Sequence, residues 1–431
     1  MGNNFPRHWQ QYKLDQLGFL GRGRSRHRPR NEPSLYGGEY PFFQTGDIKA
    51  ANLYMANYTQ TYNEKGLLQS KQWEPGTLCI TIAANIAETA ILGVRGCFPD
   101  SVIGFIAQPE KADVRFIKYY IDTIKLNIQQ ISHGTTQDNL SLDKLLRFDF
   151  VVPSLIEQRT IASILSSYDD LIENNLWRIK ILEEMAQNIY REWFVNFRFP
   201  GHEKTHFVDS HLGRIPEGWE VSKLGDHLIA MESGKRPKGG IQYNCIGIPS
   251  IGAENVRKIG RHNYQSEKYI PDSFYDEMKK GKVKQGDVAL YKDGAYIGRS
   301  TYFRDNFPHS KFCVNEHVFL LRSNGNKLTQ NSLYLWLQET STIASIKSTN
   351  ANVAQPGINQ KGVKGLDIIV PSRQIAKTFE DLVEPFLALI TSLAKKNEVL
   401  RQTRDLLLPK LISGEVDVSD LDINLPEEAM T

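Results

Sequence analysis

The sequence predicts an α+β fold in which two similar globular domains are separated by two long antiparallel helices forming a coiled coil, with a built-in pseudo-twofold. Three observations predict it. The first is an internal repeat: Val152-Pro153-Ser154 returns as Val370-Pro371-Ser372, an offset of 218. At that offset Gln137 falls on Gln355, Leu140 on Ile358, and the alternating run Phe148, Phe150, Val152 on Leu366, Ile368, Val370. Near the start of each half the offset is 210, matching Trp9-x3-Lys13-Leu14 to Trp219-x3-Lys223-Leu224. Loop insertions account for the drift.

The second observation is the content of each half. The first carries strand-like runs over Leu78–Ile82 and Val102–Ile106, then a helix with Ile117, Ile121, Ile124, Ile128 and Ile131 on one face. The second repeats the order with Val288–Tyr291, Val318–Leu321 and a helix over Ser332–Ile346.

The third is a seam after each half. From Ile161 it reads Ile161, Leu165, Tyr168, Ile172, Asn175, Ile179, Leu182, Ala186, Ile189, Trp193, alternating steps of four and three. The equivalent positions are Phe379, Val383, Phe386, Ile390, Leu393, Asn397, Leu400, Arg404, Leu407 and Leu411. Full antiparallel overlap places Asn175 opposite Asn397, so one polar layer sets the register. A parallel pair would strand both amides against hydrocarbon. Pro385 predicts a kink or a restart in the second helix, and Pro409 its end, just before Ser413-Gly414. The predicted organisation is a domain over 1–154, a helix over 155–199, a linker over 200–215, a domain over 216–372, a helix over 373–414 and an acidic tail over 415–431.

Four cysteines (Cys79, Cys97, Cys245, Cys313) are far apart and read as reduced thiols. No apolar run approaches membrane-spanning length and the N-terminus lacks a signal peptide's apolar core, which predicts a cytosolic protein. The net charge is +3, but the segment from Gly414 onward holds six carboxylates and no Lys or Arg, leaving +9 on the remainder. A basic body of this kind suits an anionic partner.

Catalytic motifs are missing. There is no Gly-x4-Gly-Lys-Ser/Thr loop, Gly21-x-Gly23 lacks a third glycine, and neither Asn-Pro-Pro-Tyr nor Asp-Pro-Pro-Tyr occurs. Pro271-Asp272 with Glu277-x-Lys279 reads as helix and not as a nuclease set. His202, His206 and His211 lie in the Pro/Gly-flanked linker and read as solvated, so no metal site is expected.

Binding residues are easier to find. Arg22, Arg24, Arg26, Arg28 and Arg30 alternate with small or turn-forming residues over Gly21–Arg30. Guanidinium forks suit phosphate oxygens and the guanine edge, and five arginines without neighbouring acids repel one another unless an anion is present. The counterpart in the second half holds Lys235, Arg236 and Lys238. Further candidates are Gln44, Thr45 and Asp47, then Ser250 and Asn255, then Lys292 and Arg299. Double-stranded DNA, itself a twofold object, is the partner these features suit. The rival expectation is a coiled-coil adaptor that gathers proteins without reading DNA.

Together these segments resemble the specificity subunit (HsdS) of type I restriction-modification systems. The resemblance rests on Pro41–Ile48, Gly134-Thr135-Thr136-Gln137, Val152-Pro153-Ser154 through Glu157-Gln158, Ile161-Ala162 and Trp193-Phe194-Val195. It continues through Ile215–Trp219, Pro249–Asn255 and Leu407–Glu415. It implies two target-recognition domains, a bipartite DNA target, and no catalysis by the chain itself. It also implies docking of two modification (methyltransferase, HsdM) subunits and of restriction (HsdR) subunits. S-adenosylmethionine, ATP and Mg²⁺ would be bound by those partners. One departure is that the second Pro-Ser is followed by Arg373-Gln374 and lacks the Glu-Gln of the first.

Overall fold

The computed structural model describes residues 5–132, 140–238, 240, 246–350 and 356–421. Gly134 to Gln137, Cys245, Gln355, the end of the acidic tail and the Ile131 side chain lie outside the described residues. The chain forms two compact units, Met1–Glu173 with Val399–Thr431, and Asn174–Glu398. Each takes one part of both long helices, so the predicted boundaries at 154 and 372 mark helix starts and not the edges of a core.

The repeat extends to strand order. In the first unit Gly18–Arg22, Val102–Ala107, Leu78–Thr81 and Thr89–Leu92 lie side by side, with Tyr54–Met55 added at the edge. In the second unit Leu228–Ser233, Val318–Ser323, Asp287–Tyr291 and Ser300–Phe303 take the same order. A smaller sheet also recurs: Gln60–Tyr62, Tyr36–Phe42, Gly96–Cys97 in one, and Tyr269–Ile270, Ile248–Ile251, Cys313–Val314 in the other. Its last two strands are parallel in both units.

These strands are apolar on both faces because both are covered. Leu78 and Ile80 share a core with Ile117, Ile121 and Ile128 of the helix Val114–Ser132, while Cys79 turns into a second apolar cluster with Trp73 and Phe98. In the second unit the predicted helix over Ser332–Ile346 is two helices, Gln330–Gln338 and Thr340–Ser348. Glu339 between them is extended (φ −70°, ψ 136°), and its carboxylate accepts from Gln187 and Arg191. The segment predicted as a linker is structured: Phe207–Ser210 pairs with Gly213–Pro216, and Ile215 is buried.

A short ladder leads into each long helix. Gln10–Tyr12 pairs with Phe150–Val152, and Glu220–Lys223 with Asp367–Val370. An ion pair repeats with it: Lys13 Nζ lies 2.6 Å from Asp149, and Lys223 Nζ 2.7 Å from Asp367. The lysine hydrogen bond holds each carboxyl below its usual range. The first long helix, Leu155–Phe194, opens on a capping box, with Ser154 and Glu157 bonding each other's backbone N–H groups. Gln158 is buried and bonds Asp113, Lys111 and Pro153 of the preceding loops. In the second helix, Arg373–Ile412, the box is half present, because Ile375 stands where Glu157 does.

The second helix ends just before Ser413-Gly414 as expected, and it does not restart at Pro385 but runs continuously through it. Pro385 and Asp381, whose carbonyl loses its intrahelical partner, are both exposed residues, on the side of the helix where such a loss is tolerated. The helix stops one turn after Pro409, where Gly414 adopts φ +72° and the Gly414 and Val416 N–H groups close on Leu411 and Lys410. Beyond it Val418 is buried in the first unit, so the acidic tail begins as packed chain.

The two helices run antiparallel in the predicted register. In the second unit Asn175 Nδ2 donates to Asn397 Oδ1 at 2.8 Å, both residues buried, and the Trp193 and Phe379 rings lie 5.5 Å apart. In the first unit Arg404, the charged exception in the seam, pairs with buried Asp169. Asp169 also accepts the Tyr119 hydroxyl at 2.5 Å. Burial opposes the Arg404 charge, but Asp169 and Asp405 outweigh it and hold its pKa above the ordinary value.

Asn175→Leu leaves Asn397 one partner short in a dry seam and should cost about 1–3 kcal/mol in thermal or denaturant unfolding. The double change Asn175→Leu with Asn397→Leu should recover most of it. Arg404→Ala strands Asp169 and should cost more, about 3–5 kcal/mol.

Candidate nucleic-acid interface

The arginine loop is held more tightly than its sequence predicts. Asp100 supplies the acid that a local reading lacks: its carboxylate takes Arg30 at 2.5 Å and Arg28 at 3.4 Å, and its carbonyl accepts from Arg22 at 2.8 Å. Arg28 also donates to the Ser25 carbonyl at 2.6 Å. Arg24 is half-buried, with Nε and Nη2 on the Ser70 carbonyl, and Ser70 returns a bond to the Arg24 carbonyl. Arg26 differs. Its backbone N–H is fixed by Gln69, but its guanidinium is exposed and has no partner among the described residues. One arginine of the five is thus free for an anion, and four build the loop that presents it.

Beside the loop is a cavity of about 290 Å³ lined by Ser25, Arg30, Asn31, Gln44, Thr45 and Gln60. Two segments distant in sequence therefore meet there. Gln44 Nε2 donates to Gln60 at 2.6 Å, while Asp47 is occupied by the Gln44 N–H and the Thr59 hydroxyl. The Tyr36 hydroxyl donates to the Arg30 carbonyl at 2.7 Å; burial and the neighbouring Tyr62 push its pKa up to about 12, so it stays a donor. Ala84 at the rim has φ +63° and Ala87 φ +61°, a left-handed backbone costing alanine on the order of 1 kcal/mol each.

In the second unit Lys235 and Lys238 are exposed, and Arg236 pairs with Glu316 at 2.8 Å. Two candidates are corrected. Ser250 and Asn255 are buried, and the Asn255 amide is used up on the Asn263 backbone, donating at 3.2 Å and accepting at 2.8 Å. It shapes its loop and does not meet solvent. Lys292 lies over the Phe319 ring at 5.1 Å, and the Arg299 guanidinium lies over the Tyr296 ring at 3.8 Å.

Arg299 belongs to a larger feature. A groove of about 680 Å³ is lined by Arg257, Lys258, Arg261, Arg299 and Lys347, with Tyr296 among them and no carboxylate in its lining. Lys258 and Arg261 lean on Glu183, at 3.7 and 3.1 Å. Burial raises the Glu183 pKa, and the two cations only partly counter it. Five cations and an exposed aromatic ring have the chemistry that phosphate oxygens and nucleotide bases engage. The run Arg257-Lys258-x2-Arg261 was readable in the sequence as a basic cluster; Lys347, some 90 residues on, was not.

Among the described residues one group has metal-ligand chemistry, His262, Glu267 and His309; His202, His206 and His211 form no such group. No helix of the described residues is long and apolar enough to cross a membrane.

Two copies of one α+β unit, each with its own cationic surface and each joined to the same long helices, define a duplicated binding protein. The family model for the type I restriction modification DNA specificity domain matches residues 6–184 and 216–402, and the chain belongs to that family. It is 25% identical to the type I restriction enzyme MjaIX specificity subunit of Methanocaldococcus jannaschii, over 96% of this chain and 95% of that one. It is 22% identical to the HindI specificity subunit of Haemophilus influenzae, over 66% and 72% of the two chains. A type I restriction-modification S subunit from M. genitalium shares the fold, with a TM-score of 0.59, 16% identity, and coverage of 95% and 97%.

Arg26→Ala should weaken DNA binding severalfold and lower the slope of log K against log salt by about 0.9, as for one lost phosphate contact. Arg24→Ala should instead lower the melting temperature. Arg299→Ala or Lys347→Ala should weaken binding comparably without unfolding the chain. Fluorescence anisotropy across a salt series, paired with thermal melts, separates these outcomes.

Proposed function

We propose that this chain is the sequence-reading subunit of a type I restriction-modification complex, each unit recognising one half of a bipartite DNA target. The observation that carries this reading is a duplicated scaffold bearing unlike cationic surfaces. The first unit offers Arg26 beside the cavity of Arg30, Gln44 and Thr45; the second offers the groove of Arg257, Arg261, Arg299 and Lys347. Unlike readers give an asymmetric target.

The chain itself is non-catalytic in this proposal. Two modification subunits supply S-adenosylmethionine chemistry, and restriction subunits supply ATP- and Mg²⁺-dependent cleavage. Trp177, Ile181 and Met185, one helical turn apart, are 50%, 52% and 42% exposed on the face of the first long helix turned from its seam. That stripe suits a helix of a modification subunit.

Methylome sequencing of cells expressing the chain with its modification subunit should reveal one new bipartite, asymmetric motif. No new motif from a complex that assembles would overturn the proposal in favour of a protein adaptor, and a palindromic motif would overturn the reading of two unlike half-sites. Trp177→Glu with Ile181→Glu should abolish co-purification with the modification subunit while leaving the melting temperature within a few degrees.

A further inference from the structure

The second unit holds three ligand-type side chains whose separation in sequence conceals them. His262 Nε2 and His309 Nε2 each lie 2.5 Å from the same oxygen, Oε1 of Glu267. The other oxygen, Oε2, accepts the Tyr269 hydroxyl at 2.7 Å. All three ligand atoms fall within 4.8 Å of one another. From this convergence we infer a binding site for a divalent transition-metal ion of the zinc class in the second unit, with two imidazole nitrogens and one carboxylate as ligands.

Two imidazoles and a carboxylate are a donor set that zinc accepts, leaving a fourth position for water. The carboxylate and the His262 ring are each 2% exposed, while His309 is 26% exposed and gives an ion a way in. Among the described residues no Lys or Arg pairs with Glu267, so the charge of this buried carboxylate is balanced by the imidazoles or by a cation between them. The surroundings are those of a supported site. Tyr269 fixes the carboxylate, and Tyr264 and Phe307 pack against the His262 ring at 4.5 and 6.5 Å. Tetrahedral ligands about 2.0–2.1 Å from zinc sit roughly 3.3 Å apart, so the imidazoles must withdraw by about 0.8 Å. His309, on a partly exposed loop, has that freedom.

The ion would clip residues 262–269 to the segment around His309, immediately after Arg261 of the cationic groove. Its presence does not depend on what that groove binds.

The test uses the full chain, stripped with chelator and titrated with ZnCl₂. One zinc per chain should bind at low micromolar concentration or tighter, raising the melting temperature by a few degrees. His309→Ala and Glu267→Gln should lose both effects, and His206→Ala, in the hairpin segment, should keep them. Metal-free His309→Ala should still unfold in one cooperative transition, below metal-free wild type because Glu267 loses a partner, showing that it folds. Absence of zinc binding below about 10 µM, or zinc retained by folded His309→Ala, would overturn the site and leave a hydrogen-bonded triad only.

Discussion

The hydrogen bond between Asn175 and Asn397 constrains more of this protein than any other contact. It is a neutral bond of about 1 kcal/mol in net terms, which is small beside the apolar seam around it. Its weight lies in what it forbids. A slip of one heptad sets Asn175 against Ile390 and Asn397 against Tyr168 in one direction, and Asn175 against Arg404 and Asn397 against Leu182 in the other, so either slip separates the two amides and faces at least one with hydrocarbon. The Asp169–Arg404 pair acts likewise in the first unit, with a steeper penalty because the groups are charged. Two polar layers fix a register that hydrocarbon alone would leave degenerate.

Each helix is in turn anchored to its preceding ladder. The Lys13–Asp149 and Lys223–Asp367 pairs recur at matched places, though both are exposed and energetically slight. Their recurrence shows what the repeat preserves, namely the entry of the chain into each helix. The capping box at Ser154 is kept only in part at Ser372, so the two helix starts are built alike but not identically.

Legibility of the sequence followed this division. Periodic and duplicated features were readable: the seam, its Asn layer, the strands over Leu78 and Val288, and the matching ladders. Features decided by a single distant partner were not. Pro385 looked like a place to kink or restart the helix because sequence cannot show that Pro385 and Asp381 lie on its exposed side. The break at Glu339 depends on Gln187 and Arg191, some 150 residues away. Asn255 resembled a base-reading amide, yet its amide belongs to the Asn263 backbone. The convergence of His262, Glu267 and His309 was hidden for the same reason, since a 42-residue gap carries no periodic signal.

The arginine loop shows how partners sort function from scaffold. In sequence its five guanidinium groups are equivalent, and mutual repulsion argues for a bound anion. Asp100 removes most of that repulsion by taking Arg28 and Arg30, and Ser70 draws in Arg24. A guanidinium already committed to a carboxylate or carbonyl must break that bond before it grips a phosphate, so it contributes less per contact than one facing water. Arg26 has no such bond to break. The same reasoning ranks the groove of the second unit, where Lys258 and Arg261 are held by Glu183 while Arg299 lies over Tyr296, a ring that orients the cation without neutralising it. Charge count located the first surface and only Arg299 of the second; the internal partners of each cation decide which of them remain available to an anion.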